Sequence, residues 1–137
     1  MRPERAGLIT LLSLGAGLLD SATGALLLSV PDLTLRMFGA TLPGGGGDIL
    51  MRFVGAFVLG VGLAYLWGLA SSRTDVRRNR LLGVWGATAA VRTCVALFTL
   101  TAVSTGGLPS AWLVVSASDA VLAIVQIRGI RRGWFAT

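Results

Sequence analysis

Histidine and lysine are absent from this sequence of 137 residues, and cysteine occurs once, as Cys94. Without imidazole groups the chain cannot form a bis-histidine haem site or a histidine proton relay. A single cysteine forms no intrachain disulfide and no thiolate cluster for a metal. We therefore expect no metal and no cofactor, and we expect Cys94 to be a small, buried, inert side chain.

Charged residues are also scarce, at 13%, whereas 54% of the residues are hydrophobic and the mean hydropathy is +0.78. Soluble domains carry about 25% charged residues because their surfaces face water. The net charge of +6 comes from arginines that lie mostly between apolar runs. This distribution is unlike the basic face of a nucleic-acid-binding protein. The composition predicts an integral membrane protein that binds no nucleic acid.

Four apolar runs predict an all-α fold, an integral membrane four-helix bundle forming a single transmembrane domain over residues 1–137. About 20 helical residues cross a hydrocarbon core of about 30 Å, and only the fourth run is near the lower limit. The first run is longer than the apolar part of a signal peptide and contains Asp20, so we expect it to remain in the mature protein. The predicted spans are 8–30, 49–70, 81–103 and 111–127.

The arginines outside these runs are distributed unevenly. Arg36 lies alone in the first connection, whereas nine arginines lie before the first run, between the second and third, or after the fourth. Because positive residues are retained on the cytoplasmic side, this bias predicts that both termini are cytoplasmic. Arginine without lysine, among many alanines and glycines, is typical of a GC-rich bacterial genome, so the predicted location is the bacterial inner membrane. The nine are Arg2, Arg5, Arg73, Arg77, Arg78, Arg80, Arg128, Arg131 and Arg132.

The connection over 31–48 is predicted to lie in the membrane interface. Pro31 and Asp32 are typical of a helix start, and the apolar residues that follow favour a short interfacial helix. Pro43 and the four glycines after it predict a flexible stretch. Asp48 then stands where the N-cap of the second span is expected.

Small residues recur at a spacing of four in the first two spans, which lets helix backbones approach closely. Two interpretations remain open: the four helices pack against one another along these stripes, or one stripe faces a membrane protein partner or a second copy of the chain. The candidate packing residues are Gly17 and Ser21 in the first span, and Ala56, Gly60, Ala64 and Gly68 in the second.

Each span carries one ionisable residue: Asp20, Arg52, Arg92 or Asp119. An isolated charge at the bilayer centre costs about 2.5–3.5 kcal/mol, so we expect these residues to be paired. Asp20, Arg92 and Asp119 fall at similar depths, which predicts that Arg92 bridges the two carboxylates. Arg52 lies near the opposite surface and either extends outward or reaches Asp20. Gln126 is expected to extend the polar network.

This network has two open interpretations. In the first, the ion pairs only fix the register of the helices; in the second, they form a polar pocket for a ligand headgroup or an ion. Catalysis would need a nucleophile, an acid–base pair or a metal, and no such set is present, so we expect no enzyme. The predicted function is an accessory subunit of a membrane complex or a small module that binds lipid or a quinone-like molecule. The alternative is a small transporter or channel that uses the Asp/Arg layer.

Several short motifs resemble a family of small four-helix bacterial membrane proteins of unknown function, similar in topology to DoxX-like proteins. They are Pro31 at the end of the first span, the segment 52–56 (Arg-Phe-Val-Gly-Ala), Arg92, the loop 106–109 and Asp119. The resemblance implies the four-helix architecture and no particular activity. It also implies a glutamate, rather than an aspartate, at the position of Asp119.

Overall fold

The computed structural model describes residues 3–42 and 44–136, so Arg2 and Pro43 of the predictions above lie outside the described residues. The described part is helical and contains no strand, which confirms the all-α class. The elements are α1 (Pro3–Ser29), α2 (Pro31–Met37), α3 (Gly47–Leu69), α4 (Thr74–Ser104), a 3₁₀ turn (Ser110–Trp112) and α5 (Leu113–Arg131).

Four helical stretches are long and apolar enough to cross a membrane: Arg5–Ser29, Gly47–Leu69, Thr74–Ser104 and Ser110–Arg131. They correspond to the four predicted spans and indicate a multi-pass membrane protein. α4 begins at Thr74, well before the predicted start at 81. Arginine is a good helix former, and Asp75 in the first turn suits the positive end of the helix dipole, so the helix continues beyond the apolar run.

The distribution of side chains is the inverse of that in a soluble protein. Ser13 is fully buried and Gln126 is 4% exposed, whereas Leu19 and Phe98 are 70% and 69% exposed. Large apolar side chains on the outside and small polar ones inside fit a hydrocarbon solvent, because polar groups must then find partners within the protein.

The first connection contains the predicted short helix, α2, with Pro31 in its first turn. The prediction that Asp48 is an N-cap is wrong. The N-cap of α3 is Gly46, whose φ of 94° is in the left-handed region that glycine adopts freely. The helix therefore begins at Gly47, and Asp48 lies inside its first turn, where a negative charge is favourable.

The chain divides into two compact units. The α1–α3 unit is Leu8–Ser72, and the α4–α5 unit is Arg73–Thr137 together with Met1–Gly7.

In the α1–α3 unit, glycines bring the backbones of α1 and α3 into direct contact. A Cβ atom added at Gly55 would lie 2.7 Å from the amide nitrogen of Leu28, and one at Gly24 would lie 2.7 Å from the carbonyl oxygen of Gly55. A Cβ at Gly62 would overlap Ser21. No side chain larger than hydrogen fits at these glycines without a shift of one helix.

The line of residues along which α1 and α3 touch, called here the contact line, differs in part from the stripes of small residues predicted in the first two spans. Gly17 and Ser21 lie on it, since a Cβ at Gly17 would be 3.0 Å from the Cβ of Tyr65. On α3, however, Ala56 and Gly60 are exposed, and a Cβ at Gly60 would meet no atom within 4 Å. With 3.6 residues per turn, a strict spacing of four drifts around the helix, so the contact line follows 55, 59 and 62 instead. Ala64 is half-buried and Gly68 is buried.

In the α4–α5 unit, an aromatic cluster joins the first half of α4 to the residues after α5. The ring of Trp85 lies 6.2 Å from that of Trp134 and 5.2 Å from that of Phe135, both edge-to-face. The guanidinium carbon of Arg5 lies 5.7 Å from the centre of the Trp134 ring. A Cβ at Gly129 would lie 2.8 Å from the Trp134 ring, so only glycine lets the rings approach α5 this closely.

Candidate functional site

A line of polar contacts runs along the interface between α4 and α5, which form an antiparallel pair. Each contact joins one residue of α4 to one of α5, and together they follow the interface over about three helical turns. They are Ser116 Oγ to the carbonyl oxygen of Ala96 at 2.9 Å, Arg92 Nη1 to Asp119 Oδ1, and Gln126 Nε2 to Thr88 Oγ1 at 3.0 Å.

The ion pair between Arg92 and Asp119 is the charged member of this line. Their side chains are only 8% and 14% exposed. Removing one partner would leave the other charge inside an apolar region, which is costly, whereas the intact pair is close to neutral in its net effect. The pair therefore joins α4 to α5 at this level of the interface.

Gln126 contacts Thr88, whose hydroxyl group donates to the carbonyl oxygen of Val84 at 2.7 Å. The prediction that Gln126 belongs to a polar network is consistent with this bond. Asp20 lies on α1 in the other unit, where it is half-buried. Its predicted pairing with Arg92 stays a prediction.

Arg52 is bound at the end of α1. Its Nε donates to Asp48 Oδ2 at 2.9 Å, and its Nη1 donates to the carbonyl oxygen of Leu28 and, at 3.4 Å, to that of Ser29. The last carbonyl groups of a helix lack donors in their own helix and carry partial negative charge, so a guanidinium group stabilises them. Arg52 therefore joins the end of α1 to the start of α3.

A groove of about 530 Å³ lies between α4 and α5, on a face separate from the polar contact line. Exposed Gly86, Ala90 and Cys94 stand four residues apart along α4 and form its floor, because their short side chains leave space. Thr93 also lines it, but its hydroxyl group donates to the carbonyl oxygen of Ala89 at 2.7 Å. Ile127 and Arg131 line the α5 side.

One expectation is wrong at this groove, and the groove itself was not predicted. Cys94 is exposed, contrary to the expectation that it is buried. The buried face of α4 passes through Arg92 and Ala96, and Cys94 lies between them on another face of the helix. The groove itself was missed, although the spacing of Gly86, Ala90 and Cys94 was a signal that could have indicated it.

The fold and these features define a class: an all-α protein with four helices able to cross a membrane, a polar line inside one helix pair and an apolar groove beside it. Among the described residues no group of three His, Cys, Asp or Glu side chains is placed to hold a metal ion. Comparisons with family models, with curated proteins and with solved structures found no match to this chain. The resemblance to DoxX-like proteins stays a prediction.

Proposed function

We propose that this chain is a non-catalytic multi-pass protein of the bacterial inner membrane, with both termini in the cytoplasm, that binds a lipid or quinone-like molecule in the α4–α5 groove. The observation that carries the proposal is the groove lining. It consists of small or apolar side chains with one cation, Arg131. Sites for small molecules are mostly apolar, with a few polar groups that fix orientation.

The groove is not needed for packing α4 against α5. That packing already has its polar contacts and its buried residues, such as Thr88, Ala96 and Ala123. An empty recess forfeits the van der Waals contacts of its lining atoms. A hydrocarbon segment from a membrane-dissolved ligand restores those contacts, which favours a bound amphiphile over bare bilayer.

A role as an accessory subunit is supported by a different surface. Ala56 and Gly60 form an exposed face of small residues on α3, and another helix can approach such a face closely. A partner membrane protein, or a second copy of the chain, would bind there. This role and ligand binding are compatible, since the two surfaces lie on different helices.

The test is purification in native nanodiscs, followed by mass spectrometry of everything that stays bound. We expect the wild type to retain one lipid-like molecule or one partner protein in stoichiometric amount. Gly86→Leu would fill the groove without meeting fixed atoms, since a Cβ there has nothing within 4 Å, and should lose the lipid-like molecule. Gly83→Leu is the matched control, because it makes the same change at an exposed glycine of α4 that does not line the groove. An empty wild-type protein would refute the proposal.

A second candidate function is transport, favoured by the burial of Arg92 and Asp119 within apolar spans. Ionisable residues in such positions often line ion or substrate pathways. Flux into proteoliposomes should then fall with Arg92→Ala and stay unchanged with Gly86→Leu. Loss of flux in neither variant, or no flux in the wild type, would remove this candidate.

A further inference from the structure

The α4–α5 groove is polar only at one end. Arg131 lies at the C-terminal end of α5, and the antiparallel arrangement places it near Gly86 on α4. Towards Cys94 the lining carries no charge, and the hydroxyl group of Thr93 is bonded to its own helix. A ligand that fits this groove therefore has one polar end and one long apolar end.

Arg131 lies on the arginine-rich side of the α4–α5 pair. Because the two helices are antiparallel, the start of α4 and the end of α5 lie on the same side, and Asp75 is the only acidic residue in these two stretches. Their arginines are 73, 77, 78, 80, 128, 131 and 132. Asp75 pairs with Arg73 at 3.3 Å. Arg131 is exposed, and among the side chains described for residues 5–42 and 44–136 it has no carboxylate partner. A guanidinium group binds phosphate through paired hydrogen bonds.

We infer that the groove binds an anionic glycerophospholipid, whose phosphate pairs with Arg131 and whose acyl chain lies along Gly86, Ala90 and Cys94. This inference rests on the proposed function, and it narrows the ligand to one class. A neutral quinone ring offers no negative charge to Arg131, so it uses only the apolar part of the groove.

The length of the groove fits one acyl chain. The eight steps of helical rise from Gly86 to Cys94 correspond to about 12 Å of helix. Half of a hydrocarbon core is about 15 Å thick. An acyl chain that starts at the level of Arg131 therefore follows the groove through most of one leaflet. The predicted orientation makes this the cytoplasmic leaflet, where the arginines attract anionic lipids.

The test measures lipid binding to the purified full chain by native mass spectrometry. The probes are dioleoylphosphatidylglycerol, which is anionic, and dioleoylphosphatidylcholine, which has the same acyl chains and no net charge. We expect the anionic lipid to bind on the order of tenfold more tightly, as one charged hydrogen-bonded contact implies. Arg131→Gln should abolish this preference. Arg132→Gln, the same change at the next residue, should leave the preference within about twofold of its wild-type value.

Cys94 supplies a local second measurement, because it is the only cysteine and lines the groove. Bound phosphatidylglycerol should slow its alkylation by N-ethylmaleimide in the wild type and should not do so in Arg131→Gln. Equal protection by both lipids would overturn the inference about the headgroup while leaving the proposed function intact. No protection by either lipid, with binding unaltered by Gly86→Leu, would overturn both.

Discussion

Arg92 and Asp119 differ from the exposed ion pairs of this chain in their burial. The pair between Asp32 and Arg36 has side chains 48% and 70% exposed, whereas Arg92 and Asp119 are 8% and 14% exposed. Solvent screens an exposed pair, and such pairs contribute about 0–1 kcal/mol. A buried pair behaves differently, because water does not replace the partner that a buried charge loses.

This difference predicts the outcome of a double-mutant cycle on the buried pair. Arg92→Met should lower the free energy of unfolding by about 3–5 kcal/mol, because it leaves the Asp119 carboxylate in an apolar region without its guanidinium partner. Asp119→Leu should also lower it, because the buried Arg92 loses this ion pair. The double variant should lose at most half as much free energy of unfolding as the less stable of the two single variants. Unfolding in mixed micelles, followed by circular dichroism, measures these values.

The control for that cycle is the exposed pair on α2. Arg36→Met and Asp32→Leu should each change the free energy of unfolding by about 1 kcal/mol or less. If the double variant of Arg92 and Asp119 loses the sum of the two single losses, the charges do not act as a pair. A structural role for them would then be contradicted.

The sequence indicated part of this residue-level picture. Similar depths in their spans were enough to suggest a contact between Arg92 and Asp119, because depth follows directly from helical rise. The partners of Arg52 could not be predicted, because they depend on where the chain reverses between α1 and α3. That reversal depends on the left-handed conformation of Gly46, which a run of four glycines leaves undetermined.

At the scale of helices, the contact of α1 with α3 depends on the absence of side chains at a few positions. Gly24→Ala would place a methyl group against the backbone of Leu59, which cannot move aside as a side chain can. We expect a loss of about 1–3 kcal/mol in the free energy of unfolding, as for other overpacked sites. The measurement is the same unfolding transition in mixed micelles.

Gly15→Ala is the matched control, on the same helix. A Cβ at Gly15 would meet nothing within 4 Å, so the alanine should be neutral, or should stabilise by up to about 1 kcal/mol through helix propensity. Equal effects of the two variants would contradict a close contact at Gly24.

The packing of α1 against α3 was only partly predictable from the sequence. A repeated spacing of four identifies small residues that share a helix face, and this sufficed for Gly17 and Ser21. It does not say which face meets a neighbour. On α3 the line of contact runs through Gly55 and Gly62, while the stripe at Ala56 and Gly60 lies to one side. Only the relative rotation of the two helices decides between them.

At the scale of the whole molecule, the arginine bias predicts the orientation in the membrane. In a Cys94→Ser background, Thr105→Cys places a thiol in the connection between α4 and α5, and Ser72→Cys places one between α3 and α4. Both positions are exposed. An impermeant maleimide should label Thr105→Cys in intact spheroplasts and Ser72→Cys only after permeabilisation. The reverse pattern would contradict cytoplasmic termini.

The number of membrane spans could be predicted because composition and run length decide it. The arrangement of the spans depends on side-chain contacts between segments far apart in the sequence, and no local pattern encodes those. The placement of Asp20 relative to Arg92 is such a case, and it stays a prediction.

The contact of Arg5 with Trp134 also has a consequence for biosynthesis. Arg5 lies at the start of the first membrane-spanning stretch and Trp134 follows the fourth, so all four stretches are synthesised between these two residues. A nascent chain that stops before Trp134 has no ring for Arg5 to contact. The contact of Arg5 with Trp134 therefore forms only after the fourth span has been synthesised. Tryptophan fluorescence can follow its formation and so report when insertion of that span is complete.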